Sequence, residues 1–201
     1  MSGELEIHGP TLVLRYPVPG DAGRLFELGS DPETTRFLSW GPYSELAQAE
    51  RFIEGVPGSR ERGEEIGFVV EREGEVLGWT LFNDVRPRDR SVTIGTWLGK
   101  QYWGTGVNTE SKALMAALAF KAMGVERLSV YAAASNDRSR AALRKVGFVE
   151  EGVLRRFNRH GDEWFDCMIG SILPAEYEVG PLAAVASEIR GSVPDNWVFN
   201  S

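Results

Sequence analysis

The stretch Gln101-Tyr-Trp-Gly-Thr-Gly106 lies between a predicted strand, residues 91–98, and a long predicted helix, residues 107–123. Its two glycines allow the backbone to approach a ligand closely, and the start of a helix leaves several N–H groups without intrahelical partners. Those N–H groups and the helix dipole favour an anion, best a phosphate or a pyrophosphate. Thr109 stands where a dinucleotide fingerprint has its third glycine, and no Lys-Ser/Thr pair follows as in a P-loop. A glycine-rich turn that only leads into a helix is the alternative.

Before this stretch the sequence predicts a strand, three short helices and a hairpin. Asp31 is a candidate N-cap with Pro32 at the first helical position, and Ser44 is a candidate cap for the third helix. The turn Glu73-Gly74-Glu75 between two apolar runs indicates the hairpin. The predicted bounds are 11–16 for the strand, 21–28, 31–38 and 44–53 for the helices, and 66–71 and 76–82 for the hairpin.

After it, apolar residues at helical spacing give the long helix one core face, and Gly124 ends it. A strand over 128–132, a helix over 136–146 that stops at Gly147, and a hairpin of 149–158 with 163–172 follow. Residues 182–189 are a further helix candidate. This order predicts an α/β (α+β layered) domain, with a parallel strand pair joined by a right-handed crossover between residues 91 and 132.

Composition excludes several classes of protein. The chain has 201 residues, a hydrophobic fraction of 42% and a formal net charge of −7, so we expect one folded domain that does not grip nucleic acid over a broad surface. The longest apolar run, residues 113–120, is too short to cross a membrane. One cysteine and two histidines predict neither a disulfide nor a metal site. Because the first eight residues lack the order of a signal peptide, we expect a cytoplasmic protein.

Three segments in order resemble the Gcn5-related N-acetyltransferase (GNAT) superfamily, and in particular its ribosomal-protein N-terminal acetyltransferase-like (RimJ/RimL-like) branch. They are Thr93-Ile-Gly-Thr-Trp-Leu98, similar to the fourth strand of that fold, the Gln101–Gly106 loop, and Asn136-Asp-Arg-Ser139 followed by Lys145-Val-Gly-Phe148. The resemblance implies a GNAT domain over residues 1–173, with a mixed central sheet of about seven strands and flanking helices. Residues 174–201 lie outside it as an extension with a short helix and a tail.

The resemblance implies an acetyl-CoA-dependent N-acetyltransferase that uses no metal. Backbone N–H groups of residues 104–108 would meet the pyrophosphate, and the strand end at Trp97 and Leu98 would pair with the pantetheine amides. The N–H near Leu98 would stabilise negative charge on the thioester oxygen, and Ser139 would protonate the leaving thiolate. The implied cofactor residues are Trp97, Leu98, Gln101, Trp103, Gly104, Thr105, Gly106, Val107, Asn108, Asn136, Arg138 and Ser139. Which cation of the segment with Arg138, Arg140, Arg144 and Lys145 meets the phosphates stays open.

The general base departs from the family pattern. Many relatives carry a glutamate where this chain has Thr93, and a tyrosine where it has Thr96. Glu110 is a candidate base, although a helix carboxylate that faces Lys112 or solvent is the alternative. Asp84 and Asp166 are weaker candidates, and a water relay is a further one.

Two aromatic residues, Trp40 and Tyr43, are candidate acceptor contacts, because a ring face can hold a cation. Cys167 is expected to be a small buried residue rather than a nucleophile, since no base adjoins it. His160, in a predicted turn, is expected to be exposed.

Several functions stay open at this stage. The acceptor could be a protein N-terminus or a small amine such as an amino acid, a polyamine or an antibiotic, and the acidic balance favours a cationic one. Transfer of a succinyl or longer group, and a CoA-binding module without turnover, are the alternatives within the fold; a nucleotide-binding protein of another kind is a third. A homodimer is predicted because a single domain is not expected to bury Trp197 and Phe199.

Overall fold

A nine-stranded mixed sheet, in the order β7-β8-β6-β5-β4-β3-β2-β1-β9, organises the computed structural model, which describes residues 4–199. Among the described strands, β5 and β6 form the only parallel pair. The strands are β1 (Glu6–His8), β2 (Val13–Arg15), β3 (Ile66–Arg72), β4 (Glu75–Arg86), β5 (Ser91–Leu98), β6 (Arg127–Ala133), β7 (Val149–His160), β8 (Glu163–Ile172) and β9 (Glu188–Arg190). The sheet therefore has the predicted mixed character, with short strands β1 and β9 added at one edge.

Helices pack against this sheet in two apolar clusters. The larger cluster contains Leu114 and Leu143 with Ile94 of β5, and the smaller one contains Leu25 and Ile53 with the paired tryptophans of β4 and β5. The helices are α1 (Ala22–Gly29), α2 (Pro32–Thr35), α3 (Leu46–Glu61), α4 (Val107–Ala117), α5 (Asp137–Lys145) and α6 (Pro174–Val179). A π-helical turn, Leu118–Met123, prolongs α4 to the predicted end at Gly124.

The two parallel strands separate at their carboxyl ends. Their pairing runs from Ser91 with Arg127 only to Ile94 with Val130, although β5 continues to Leu98. On the other side of β5, Gly99 N–H donates to Leu77 O at 3.0 Å. Because an antiparallel ladder alternates, the backbone groups of residues 96 and 98 point away from β4 and into the gap beside β6. The gap is where a ligand can pair with β5.

Two predicted helices differ from the structure in their bounds. The helix predicted over 31–38 ends at Thr35, although its cap is confirmed, because Asp31 Oδ1 accepts from Glu33 N–H at 2.9 Å. Ser44 is not the cap of α3; its N–H donates to Gln48 Oε1 at 2.7 Å and Glu45 takes the cap position. The helix runs to Glu61 rather than to residue 53, because the buried Val56 continues its core face beyond Ile53.

The helix predicted over residues 182–189 is wrong. The short helix of this region is α6, and β9 pairs antiparallel with β1 instead, Ile189 opposite Ile7. Trp197 is fully buried and donates its indole N–H to Arg60 O at 2.9 Å, and Phe199 N–H donates to Met123 O at 2.7 Å. The chain itself buries both aromatic rings, which removes the observation that led to the predicted dimer. The division at residue 173 stays a prediction, and residues 1–3, 200 and 201 lie outside the described part.

Within residues 4–199 no helix combines the length and the apolar character needed to cross a bilayer. In the same part of the chain, no three His, Cys, Asp or Glu side chains come together as they would around a metal ion.

Candidate active site

A cleft of about 330 Å³ opens where β5 and β6 separate. Its walls are the end of β5, the glycine loop with the first turn of α4, the first turns of α5, and the α2 segment. Of the residues predicted for the cofactor, the structure brings nine to this cleft: Trp97, Leu98, Trp103, Gly104, Gly106, Asn108, Asn136, Arg138 and Ser139.

Glycine is required in the loop by its backbone conformation. Gly104 and Gly106 have φ values of 76° and 93°, the left-handed region that other residues adopt at a cost, and a Cβ at either would meet no atom within 4 Å. Gly106 is the N-cap residue of α4, and Glu110 N–H makes a hydrogen bond of the first turn, to Gly106 O, at 3.0 Å. The amide groups that precede Glu110 in α4 are therefore free of intrahelical partners and face an open space.

The end of β5 presents a fixed backbone donor. Trp103 donates its indole N–H to Leu98 O at 2.9 Å, which holds the loop against the strand end. The Leu98 N–H points into the gap because of the ladder register. The Arg138 guanidinium lies over the Trp103 ring, with its central carbon 3.4 Å from the ring centroid.

Helix α5 begins with a cap that also faces the cleft. Asn136 Oδ1 accepts from Ser139 N–H at 3.1 Å, so Asn136 caps the helix. The Ser139 hydroxyl and the Asn136 amide donors make no hydrogen bond within residues 4–199 and remain available to a ligand. This arrangement suits a ligand with amide carbonyl groups.

Ion pairs divide the four cations of the α5 segment into two groups. Arg140 and Arg144 both bind Glu150, at 3.0 Å and 2.8 Å. Of these four cations, only Arg138 and Lys145 are among the residues that line the cleft.

Glu110 does not reach the cleft. Its carboxylate accepts hydrogen bonds from Thr11 N–H at 2.7 Å, from Thr11 Oγ1 at 2.7 Å and from Leu12 N–H at 2.8 Å. Glu110 thus fastens the turn between β1 and β2 to α4, and neither of the predicted alternatives, Lys112 or solvent, describes its contacts. Asp166 is similarly engaged, since it accepts from Arg156 N–H at 2.7 Å.

Several predicted residues contribute less than their position suggested. The Gln101 side chain is exposed and lies outside the cleft lining, and Thr105 donates its hydroxyl to Tyr102 O at 2.7 Å. Val107 is fully buried, so only its backbone amide can serve a ligand.

Trp40 and Tyr43 form an aromatic stack behind the cleft. Their ring centroids are 4.7 Å apart, and Trp40 meets Trp97 edge-on at 5.4 Å. Burial raises the pKa of the Tyr43 phenol to about 12, so it stays protonated at neutral pH. Neither residue lines the cleft. They pack behind Trp97 and make no direct contact with the space of the cleft.

The α2 segment closes the other end of the cleft, which the sequence reasoning missed. Glu33, Thr34, Phe37 and Leu38 line it there. The signal in the sequence was the capped start at Asp31, which placed a short helix but not the direction of its side chains. Among the residues that line the cleft, Glu33 is the only carboxylate.

A second cavity of about 320 Å³ adjoins the cleft at Phe37 and is also lined by His160, Glu163 and Phe165. His160 is partly buried at the end of β7 rather than exposed in a turn, because its Nδ1 lies 2.7 Å from Leu38 O. A carbonyl oxygen only accepts, so Nδ1 carries the proton. Cys167 is fully buried, as predicted.

Known proteins share this architecture. The family model described as acetyltransferase (GNAT) domain matches residues 11–149. The chain is 27% identical over 168 residues to the uncharacterized N-acetyltransferase p20 of Bacillus licheniformis, covering 83% of this chain and 94% of that protein. It is 26% identical over 132 residues to the ribosomal-protein-serine acetyltransferase of Escherichia coli K12, covering 64% of this chain and 73% of that protein. The structure of the microcin C7 self-immunity acetyltransferase MccE, in complex with acetyl-CoA and AMP, superposes with a TM-score of 0.74 at 22% identity over 82% of this chain and 93% of that one.

A sheet that opens at its single parallel pair, with a glycine loop and a helix start at the opening, defines the class of acetyl-CoA-dependent N-acetyltransferases. This chain belongs to the acetyltransferase (GNAT) domain family. The predicted family, fold class, enzyme class and co-substrate are thereby confirmed, and the ribosomal-protein relatives support the predicted branch.

Proposed function

We propose that the cleft beside β5 binds acetyl-CoA and that the protein transfers the acetyl group directly to the N-terminal amine of a peptide or protein. One observation carries the proposal: the Leu98 N–H points into a gap whose far wall is the glycine loop at the start of α4. A thioester carbonyl near Leu98 and a pyrophosphate at the loop would be held by two sets of fixed backbone donors.

The residues around the cleft fit such a ligand. The free amides of the first turn of α4 suit the pyrophosphate, and Arg138 and Lys145 supply positive charge. The backbone groups of Thr96 can pair with the pantetheine amides as an added strand would, which leaves the Leu98 N–H for the thioester carbonyl, and Asn136 lines the cleft from α5. Trp97 therefore contributes its side chain, since its backbone pairs with Trp79 of β4.

The reaction forms a bond from the amine nitrogen to the thioester carbonyl carbon and breaks the bond from that carbon to sulfur. The Leu98 N–H would stabilise the negative charge that develops on the carbonyl oxygen. As the amide forms, the nitrogen gives up a second proton and the departing thiolate gains one. The Ser139 hydroxyl, which lines the cleft from α5, would relay that proton. The attacking ammonium must first lose a proton. We assign that proton to Glu33, directly or through water, in place of Glu110.

A peptide acceptor is supported by the shape of the acceptor end. Beyond Phe37 the second cavity continues away from the cleft, which gives room for residues that follow a reacting N-terminal amine. A relative that shares 26% identity is named a ribosomal-protein-serine acetyltransferase. Glu33, the only carboxylate among the residues that line the cleft, favours a cationic amine over an anionic acceptor; beyond it, the second cavity carries both Glu163 and Arg36. Such a reaction belongs in the cytoplasm, where both acetyl-CoA and new protein N-termini are present.

Calorimetric titration with acetyl-CoA tests the site. Wild type should bind at micromolar strength, and Gly106→Val should lose binding because valine is strained at a φ of 93° and projects into the pyrophosphate site. Gly74→Val is the matched control, since Gly74 has a φ of 82° and nothing near its Cβ but lies in the β3–β4 turn. Equal binding by all three proteins would show that the loop holds no cofactor.

Thiol release tests the transfer. A peptide that begins with serine should release CoA from acetyl-CoA, whereas the same peptide with a blocked amine should not, and spermidine serves as the small-amine comparison. A CoA-binding module without turnover is the second candidate, favoured by Thr93 at the usual glutamate position. Tight binding of acetyl-CoA with no thiol release for any of these amines, from acetyl-CoA or succinyl-CoA, would support that candidate and reject ours.

A further inference from the structure

A buried lysine lies behind the glycine loop. Lys112 is 6% exposed, although lysine is almost never fully buried without a charged partner. Its Nζ donates to Asn108 Oδ1 at 3.0 Å, one helical turn closer to the start of α4. Because helix side chains lean toward the N-terminus, the lysine stem carries its charge back to the first turn, where the free amides lie.

This contact fixes the orientation of the Asn108 amide. An ammonium group only donates, so the Asn108 atom that meets Lys112 must be the oxygen. Asn108 also lines the cleft, and the polar atom that it has left for a ligand is Nδ2 with its two donors. The lysine thereby makes Asn108 a donor toward the cleft.

The protein gives Lys112 no counter-charge. Among residues 4–199 Lys112 forms no ion pair, and burial alone lowers its pKa to about 8. Glu110, on the same helix, is engaged with the β1–β2 turn. Of the strands in contact with α4, β5 carries no charged residue and β1 carries Glu6 and His8, which bind each other; β4 carries Glu75, Asp84 and Arg86 near its ends. A buried cation without a counter-ion beside an anion site points to an anionic ligand.

We propose that Lys112 and Asn108 form a positioning pair for the pyrophosphate of acetyl-CoA. The ammonium holds the Asn108 amide so that its donors face the phosphate oxygens, and the bound phosphates supply the counter-charge that the lysine lacks. Lys112 acts through Asn108 and through its charge, and it need not touch the ligand. This inference rests on the cofactor site proposed above.

Titration calorimetry at about pH 7 and pH 9.5 tests the pair, because the phosphates of acetyl-CoA are already ionised over this range. Wild type should bind acetyl-CoA several-fold more weakly at the higher pH, as Lys112 loses its proton. Lys112→Met should bind on the order of tenfold more weakly than wild type at pH 7 and should show a smaller change with pH. Asn108→Asp keeps a partner for the lysine but replaces the donors with a carboxylate, and should lose at least as much affinity.

Two controls separate this role from a structural one. Lys121→Met removes an exposed lysine from the turn that prolongs α4 and should leave the affinity within twofold of wild type. S-acetylpantetheine has no phosphates, so its binding should be the same for wild type and Lys112→Met. An affinity of Lys112→Met for acetyl-CoA within twofold of wild type would overturn the inference.

The test keeps its force if Lys112→Met does not fold. Wild type alone then decides, because an equal pH dependence for acetyl-CoA and S-acetylpantetheine would also overturn the inference. Failure of wild type to bind acetyl-CoA at all would reject the proposed function itself, and with it the pair. The two failures are therefore distinguishable.

Discussion

The two ends of the cleft differ in the groups that line them: backbone donors at one end and side chains at the other. At the proposed cofactor end, the donors are backbone groups. The strand register orients the Leu98 N–H, and two left-handed glycines orient the amides of α4. At the proposed acceptor end, side chains from distant segments line the space: Glu33 and Phe37 from the α2 region in the cleft, and His160 from β7 in the adjoining cavity. Backbone donors are retained when the side chain at their position changes, whereas side chains determine which acceptor fits. We therefore expect changes at the acceptor end to alter turnover and changes at the cofactor end to alter affinity.

The largest effect is expected from Glu33→Gln. If Glu33 takes the amine proton, the variant should lose about 10²-fold or more in kcat, while its Kd for acetyl-CoA stays within twofold of wild type. Steady-state kinetics with a serine-initiated peptide and calorimetry with acetyl-CoA check both halves. Unchanged kcat would remove Glu33 from the reaction and favour a water relay.

The next prediction is that replacing Lys112, which we propose to support ligand binding, makes the folded protein more stable. The lowering of the Lys112 pKa from 10.5 to about 8 corresponds to roughly 3 kcal/mol of unfavourable burial of the charged form. The unfolded chain binds more protons between these values, so wild-type stability rises with pH from about 8 to 10.5. Lys112→Met should thus be more stable than wild type near pH 7, and the difference should shrink toward pH 10.5.

Chemical denaturation of the two proteins at pH 7 and pH 10 measures this difference. A variant less stable than wild type at pH 7 would mean that the ammonium contributes more to packing and hydrogen bonding than its burial costs.

A third, smaller effect contrasts two glutamates. Glu110→Gln keeps the size of the side chain but weakens its three hydrogen bonds to residues 11 and 12, and should lower the free energy of unfolding by about 1–3 kcal/mol. Its kcat should match wild type at temperatures where both are folded. Denaturant unfolding and peptide kinetics check this, and a kcat loss equal to that of Glu33→Gln would restore Glu110 as a candidate base.

The same contrast explains how much the sequence revealed. The loop, the strand before it and the cap at Asp31 are local features, and they were predictable because left-handed glycines and capping side chains act within a few residues. The partners of Glu110 lie 98 and 99 residues away along the chain, and nothing local marks them. The burial of Trp197 against the carbonyl of Arg60 is equally non-local.

The candidate site shows the same division between local features and contacts distant in sequence. Most residues predicted for the cofactor line the cleft, because the motif contains both the donors and the conformation that presents them; their role stays a prediction. The acceptor end was missed because Trp40 and Tyr43, the aromatic residues that drew attention, stack on each other behind Trp97, while the less conspicuous Glu33 and Phe37 face the cleft. Which of several side chains on a short helix faces a cleft depends on packing that the sequence does not display.

The smallest effect separates two arginines of one helix. Arg138→Ala and Arg144→Ala each remove one positive charge from α5, so any difference between them comes from position. Arg138 lines the cleft over the Trp103 ring, whereas Arg144 binds Glu150 at 2.8 Å and is 52% exposed. Arg138→Ala should weaken acetyl-CoA binding about three- to tenfold, and Arg144→Ala should leave it within twofold. Calorimetry at low and high salt measures both, and equal losses that vanish together at high salt would mean that only the overall charge of α5 matters, not the placement of Arg138 in the cleft.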